Sequence, residues 1–136
     1  TRPVAADPNA VTLLSPLDPL IHDRKRLETL YNFHYRWEIY TPEKRRVYGP
    51  YVMPIHAGDA IVGRIQLRRV KETGAMTIDG LWWERGAKPT RHIAGLASAI
   101  AAHQRLLGVT AGQMPREIAD RSDGRHLFRA LRKIAG

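Results

Sequence analysis

The residues best suited to chemistry in this sequence are cations that lie next to aromatic rings. Lys44, Arg45 and Arg46 stand between Tyr40 and Tyr48. Lysine and arginine neutralise phosphates, and arginine also stacks on flat rings. Such a group is typical of a surface that binds the backbone of a nucleic acid. The alternative interpretation, which the sequence leaves open, is a solvated basic loop.

Two further arginines share one face of a predicted strand. Residues 61–67 alternate apolar with polar side chains, so Arg64 and Arg68 both lie on the polar face. They could join the basic loop in contacting phosphates, or Arg64 could pair with Glu38 or Asp79 across the sheet. The predicted nucleic-acid-binding residues are therefore Lys44, Arg45, Arg46, Arg64 and Arg68.

The composition agrees with a polyanionic partner. The 136 residues include 22 Lys and Arg against 13 Asp and Glu, which gives a formal net charge of +9. A surplus of that size attracts nucleic acid, although it also raises the solubility of proteins that bind none. The chain has no cysteine and no apolar run of membrane-spanning length. Disulfides are therefore excluded, and the sequence is compatible with a cytoplasmic protein.

The sequence offers little for catalysis. Its six histidines show no HxH or HExxH spacing, so we expect no metal site. Gly58 and Gly63 lack the spacing and context of a phosphate-binding loop, so we expect no other cofactor. Ser15, Ser98 and Ser122 lack the context of a nucleophile elbow. Glu38 and Asp59 could act as general bases, but a Glu on the outer face of a strand and an Asp in a turn more often have structural roles. No catalytic residue is predicted.

A sheet must position these side chains. The runs with the two-residue period of a half-buried strand are 35–40, 48–55, 61–67 and 75–84, with 11–14 as a shorter fifth. Ala57-Gly58-Asp59 is a predicted hairpin turn, and short turns favour a twisted, antiparallel, partly barrel-like sheet. Pro50 and Pro54 place the second run at an edge or a bulge.

Helices complete the predicted fold. Thr90 caps a long helix that runs to about Leu107 and should lie across the sheet. Shorter helices are predicted at 24–31, 115–120 and 125–134, the last of them after Gly124. Residues 1–10 are predicted to be a linker or frayed end, and residues 11–136 a single α+β domain.

Strand alternation also predicts the core. The inward-facing set is Trp37, Ile39, Met53, Ile65, Met76, Ile78 and Trp82, together with Leu96 and Ile100 from the long helix. By the same alternation Trp83 points outward. It is therefore the one tryptophan that we consider a candidate for stacking on a nucleic-acid base.

Five segments of the chain resemble the C-terminal region of the YcaQ/AlkZ-type winged-helix DNA glycosylases, and they are closer to the YcaQ branch. The segments are LLSPLDPLI, DRKRLE, YRWEIYTP, KRRVYGPYVMPI and GDAIVGR, in the order and spacing of the family. The resemblance implies that the chain is the C-terminal, β-rich domain of a longer protein, preceded by tandem winged helices. It also implies that the full-length protein excises alkylated bases and unhooks interstrand crosslinks in double-stranded DNA.

The chain departs from this family in its catalytic signature, which is Gln-x-Gln or Gln-x-Asp. Gln66, Gln104 and Gln113 are followed two positions later by Arg68, Leu106 and Pro115. Base excision also requires a pocket for the flipped base, and no motif here supplies one. We therefore expect an accessory domain that supports the winged-helix domains and contacts phosphates. The alternative is a structural or protein-interaction domain that does not bind DNA.

Overall fold

Strands and helices follow one another much as the sequence patterns predict. The computed structural model describes residues 10–14, 52–70, 72–107 and 112–135. The strands are β1 (Val11–Leu13), β2 (Val52–Ala57), β3 (Ala60–Arg69), β4 (Met76–Trp83) and β5 (Gly112–Gln113). The helices are α1 (Pro89–Leu107), α2 (Arg116–Ala119) and α3 (Ser122–Ala135). The α+β class is confirmed, while the predicted linker at 1–10, strand at 35–40 and helix at 24–31 lie almost wholly outside the described residues.

The five strands form one sheet in the order β1-β2-β3-β4-β5. β1 to β4 pair antiparallel with one another, as the short turns predict for β2, β3 and β4, and β5 pairs in parallel with β4. Gly58 at φ 61° and Gly74 at φ 72° supply the left-handed backbone that the two central turns require. Across the described residues the sheet is open, with β1 and β5 at its edges, and does not close into a barrel.

The prediction that Pro54 marks an edge strand or a bulge is half correct. β2 lies between β1 and β3, so it is an interior strand. Its pairing with β1 ends at Leu13↔Ile55, and the Leu14 amide then donates to the Pro54 carbonyl. Proline is tolerated because it lies where the ladder to β1 stops. A bulge does follow at once, since Ile55 pairs with Gly63 and His56 with Ile61.

A second bulge corrects the predicted orientation of the tryptophans. Gln66 pairs with Gly80, but Leu67 pairs with Ile78, so β4 carries one extra residue at Asp79. An extra residue reverses the alternation beyond it. Leu81 and Trp83 consequently face the core. Trp82, predicted to point inward, lies on the opposite face with its indole over Gly80.

One apolar cluster joins the sheet to the helices. It contains Met53, Ile55, Ile65, Leu67, Met76, Ile78 and Leu81 from the strands, Ile93, Leu96, Ala97 and Ile100 from α1, Ile118 from α2 and Leu127 from α3. The predicted core positions at 53, 65, 76, 78, 96 and 100 are thus confirmed, while Trp37 and Ile39 lie outside the described residues. As predicted, α1 covers the sheet, and α3 then packs against α1.

Two helix starts differ from the sequence prediction. α1 begins at Pro89 rather than after a Thr90 cap, because proline is well suited to the first helical position, where no amide donor is needed. α3 begins at Ser122 and includes Gly124. A Cβ at Gly124 would lie 1.8 Å from the Ile118 carbonyl oxygen, so glycine lets α2 and α3 approach closely.

Candidate nucleic-acid interface

Arg68 is the predicted site residue that the structure exposes. Its side chain is 59% accessible, and its Nε lies 2.6 Å from Oδ2 of Asp79. The hydrogen bond to Asp79, together with the charge of that carboxylate, raises the pKa of Arg68. Asp79 also accepts a hydrogen bond from the Thr77 hydroxyl. A phosphate that binds Arg68 would therefore compete with a neighbouring carboxylate.

Arg64 occupies a different environment on the same strand. The residue is only 6% exposed, and its Nε lies 3.9 Å from Oε2 of Glu84. Of the two partners predicted for Arg64, Glu38 lies outside the described residues, and Asp79 forms an ion pair with Arg68. A buried guanidinium is not available to a phosphate in solvent. Among the described residues of the predicted site, β3 therefore offers Arg68 alone to a ligand.

The predicted basic loop is not part of the described structure. Lys44, Arg45 and Arg46 lie outside the described residues, as does Glu38. Asp59, the other considered base, is exposed in the turn between β2 and β3. The structure therefore leaves the contribution of the loop as a prediction.

A larger group of exposed cations lies on α3. Arg125, Arg129, Arg132 and Lys133 are all exposed, and we refer to these four residues as the basic face. The sequence predicts this helix without assigning its cations to a site. Their spacing of i, i+4, i+7 and i+8 was the available signal, because it places all four within about 100° of arc around a helix.

The surface around the basic face is partly apolar. Phe128 is 43% exposed, and the guanidinium carbon of Arg132 lies 5.8 Å from the centre of its ring. Beside them is a groove of about 460 Å³ that Met114 and Ala119 also line. A second groove of about 570 Å³ runs between α1 and α3, and Arg129 and Lys133 are among the residues that line it.

A polar junction fixes α3 to the sheet. The Trp83 indole Nε1 donates to Asp123 Oδ2 at 2.7 Å. Arg121 donates through Nη1 to the Leu81 carbonyl at 2.9 Å and through Nε to Asp123 Oδ1 at 3.0 Å. The Gly124 amide donates to the same carboxylate at 2.8 Å. We call Trp83, Arg121 and Asp123 the sheet–helix junction.

The electrostatics of the junction favour a charged carboxylate. Burial alone would raise the pKa of Asp123, but the hydrogen bonds from Arg121 and Trp83, the charge of Arg121 and the Gly124 amide outweigh it. The net effect lowers the pKa of Asp123 below its ordinary value. The carboxylate is therefore ionised at neutral pH and directed into the protein.

His92 lies near the start of α1 and next to the Trp83 ring of the sheet–helix junction. Its ring stacks on that of Trp83, with centroids 6.2 Å apart. Burial and, secondarily, the charge of Arg91 lower the pKa of His92, so the imidazole is neutral at physiological pH. It borders a depression that is also lined by Gly58, Asp59, Lys88 and Arg91. Together the stacked rings make this end of β4 a packed part of the fold, which corrects the prediction of an exposed, base-stacking Trp83.

Two classes of site find no support within the described ranges. No three His, Cys, Asp or Glu side chains there come close enough to hold a metal ion. Of the helices described, none is both long and apolar enough to cross a membrane.

Comparison with known families defines the class of protein. A family model described as AlkZ-like DNA glycosylase matches residues 1–107, which is 107 of the 136 residues. The chain is thus related to the glycosylases of DNA repair. It belongs to the AlkZ-like DNA glycosylase family. The match ends with α1, so β5, α2 and α3 lie beyond it, and no solved structure matches the chain.

Proposed function

We propose that this chain is a non-catalytic, C-terminal accessory region of an AlkZ-like DNA glycosylase. In this proposal it supports the tandem winged helices of the full-length protein and binds phosphates of double-stranded DNA. The full-length protein would excise alkylated bases and unhook interstrand crosslinks. Membership of the glycosylase family is the observation that carries the proposal.

The phosphate contacts are assigned to four residues of the predicted set, Arg68, Lys44, Arg45 and Arg46. Arg68 is accessible beside Asp79, and Lys44, Arg45 and Arg46 belong to a segment that resembles the family. Arg64 is omitted because it is buried next to Glu84. Contacts of this kind hold a protein on the duplex without reading its sequence.

The assignment of a non-catalytic role is supported by what the chain contains. The Gln-x-Gln or Gln-x-Asp signature that the resemblance leads one to expect is absent from the sequence. Asp59, the described candidate for a general base, is an exposed residue of a tight turn. An Asp at such a position more often has a structural role than a catalytic one.

A double substitution tests the proposed contacts. Binding of the chain to a labelled duplex is measured by fluorescence anisotropy at several salt concentrations. Replacing Arg45 and Arg46 by Ala should weaken binding equally for all sequences and lower the slope of log K against log salt by about 1 per lost contact. The charge-matched control replaces the exposed Arg85 and Lys88 by Ala, and it should change the slope less.

One observation favours a purely structural role as the second candidate. Both Arg64 and Arg68 already pair with carboxylates of this chain, so basic residues here can serve the fold alone. If Arg45 and Arg46 instead join this region to the winged helices, their replacement leaves DNA binding and the salt slope unchanged. The full-length variant would then be cleaved faster by protease near residues 1–10.

A further inference from the structure

The charges of α3 are distributed unevenly between solvent and protein. The helix has four cations and one acidic residue, Asp123. The carboxylate of Asp123 is bound to Arg121 and Trp83 at the sheet–helix junction. The basic face therefore points to solvent without an acidic residue of its own helix beside it. Glu117 and Asp120 are exposed acidic residues on α2 and in the turn after it.

The cations of the basic face differ in the contacts that they already make within the chain. Arg125 donates through Nη1 to the Asp120 backbone carbonyl. Arg132 lies over the Phe128 ring, which holds its guanidinium against the helix surface. Within the described residues, Arg129 and Lys133 take part in no ion pair. Arg129, Arg132 and Lys133 thus retain donors for an external anion.

We propose that the basic face of α3 is a second DNA-binding element, whose cations contact phosphates along one strand of the duplex. This inference rests on the proposed function and adds a surface that lies beyond the family match. From Arg125 to Lys133 the helix rises by about 12 Å. One strand of duplex DNA presents a phosphate every 3.4 Å or so along its axis, so the basic face spans about three to four of them.

The fold holds this surface in a fixed position. Leu127 is fully buried in the core, and Gly124 lets the start of α3 approach the Ile118 carbonyl. The Trp83 and Arg121 side chains then tie the first turn of the helix to β4. Because the backbone of the helix is ordered before binding, only the side chains of its cations remain to be ordered when a phosphate binds.

Polyanion binding by α3 can be measured in the whole chain. The triple variant Arg129→Ala, Arg132→Ala, Lys133→Ala is compared with the native chain by anisotropy on the same labelled duplex over a range of salt concentrations. We expect the salt slope to fall by about 2 to 3, one for each lost contact, with no change in sequence preference. The charge-conserving variant Arg129→Lys, Arg132→Lys should keep a near-native slope.

A charge-matched control separates contact from net charge. It replaces the exposed Arg69, Arg85 and Lys88 by Ala, removing the same charge away from α3. An equal loss of slope in both triple variants would overturn the proposal, because net charge alone would then explain the binding. A thermal melt of each variant shows whether the fold persists, and the Lys variant provides the comparison should the Ala variant unfold.

The outcomes distinguish this inference from the proposed function. If the native chain does not bind duplex DNA, both fail. If the native chain binds and the Ala variant binds with an unchanged slope, only the assignment of α3 is overturned. In a further outcome, the native chain binds polyglutamate as tightly as DNA, and the Ala variant loses its binding to polyglutamate but not its binding to DNA. The basic face would then bind an acidic protein, and that result would also overturn the proposal.

Discussion

Trp83 and Asp123 are 40 residues apart in sequence and are joined by a hydrogen bond of 2.7 Å from the indole Nε1 to Oδ2. The bond connects the last residue of β4 with the second residue of α3. It exists because the bulge at Asp79 turns Trp83 toward the core side of the sheet. A register change in one strand thus determines where the C-terminal helix is held.

We predict that Trp83→Phe destabilises the chain by about 1 to 3 kcal/mol. The phenyl ring keeps most of the apolar contact, but a partly buried carboxylate loses a donor. Denaturant unfolding of Trp83→Phe, Asp123→Asn and the double variant gives the coupling between the two side chains, which should be about 0.5 to 3 kcal/mol. Strictly additive effects would contradict the assigned hydrogen bond.

The junction should also make stability depend on acidic pH. Because the pKa of Asp123 is lower in the folded state than its ordinary value of 3.8, the unfolded chain binds the proton first as the pH falls. The stabilising contribution is complete above about pH 5, where the carboxylate is ionised in both states, and it is lost as the pH falls through 3.8 and then through the folded pKa. Thermal melts from pH 6 to pH 2.5 should show the native chain losing more stability than Asp123→Asn. Parallel curves would count against this account.

Gly124→Ala should destabilise the chain by about 1 to 3 kcal/mol, because the added Cβ collides with the Ile118 carbonyl oxygen. Ordinary helix propensity predicts the opposite sign, a gain of about 0.5 to 1 kcal/mol. The sign of the change in the free energy of unfolding, measured in urea, therefore tests the close approach of α2 and α3. A gain in stability would mean that these helices do not meet here.

Leu81→Ala tests the bulge in β4. Simple alternation puts this side chain outside, where its loss would change stability by no more than about 0.5 kcal/mol. In the structure Leu81 is 1% exposed and lies in the core. Its replacement by Ala should therefore lower the stability by about 2 to 5 kcal/mol, similar to the effect of Ile65→Ala. Arg69→Ala, at an exposed position of β3, is the control. If Leu81→Ala barely changed the free energy of unfolding, Leu81 would lie outside the core, as simple alternation predicts.

The sequence predicted strands and helices well where a pattern is local. Period-two alternation located β3 and β4 to within one or two residues, and glycines at 58 and 74 marked their turns. The bulge at Asp79 could not be foreseen, because it follows from pairing with β3 rather than from the residues of β4. One inserted residue was enough to exchange the predicted roles of Trp82 and Trp83.

Prediction of the candidate site was limited in a different way. Alternation placed Arg64 and Arg68 on one face of β3, but it could not tell that one guanidinium is buried beside Glu84 and the other exposed beside Asp79. The pattern of cations on α3 was visible in the sequence. Their significance depends on Asp123 being turned inward, and that requires the tertiary contact with Trp83.

The central claim is that this chain binds DNA without excising bases. The most direct measurement incubates it with a labelled duplex that contains an alkylated base, and follows bound duplex and released base in the same samples at increasing salt. The account predicts binding that weakens steeply with salt and no base release above the protein-free control. Base release that is lost in Glu38→Gln or Asp59→Asn, or a duplex that stays unbound at 50 mM salt or so, would contradict it.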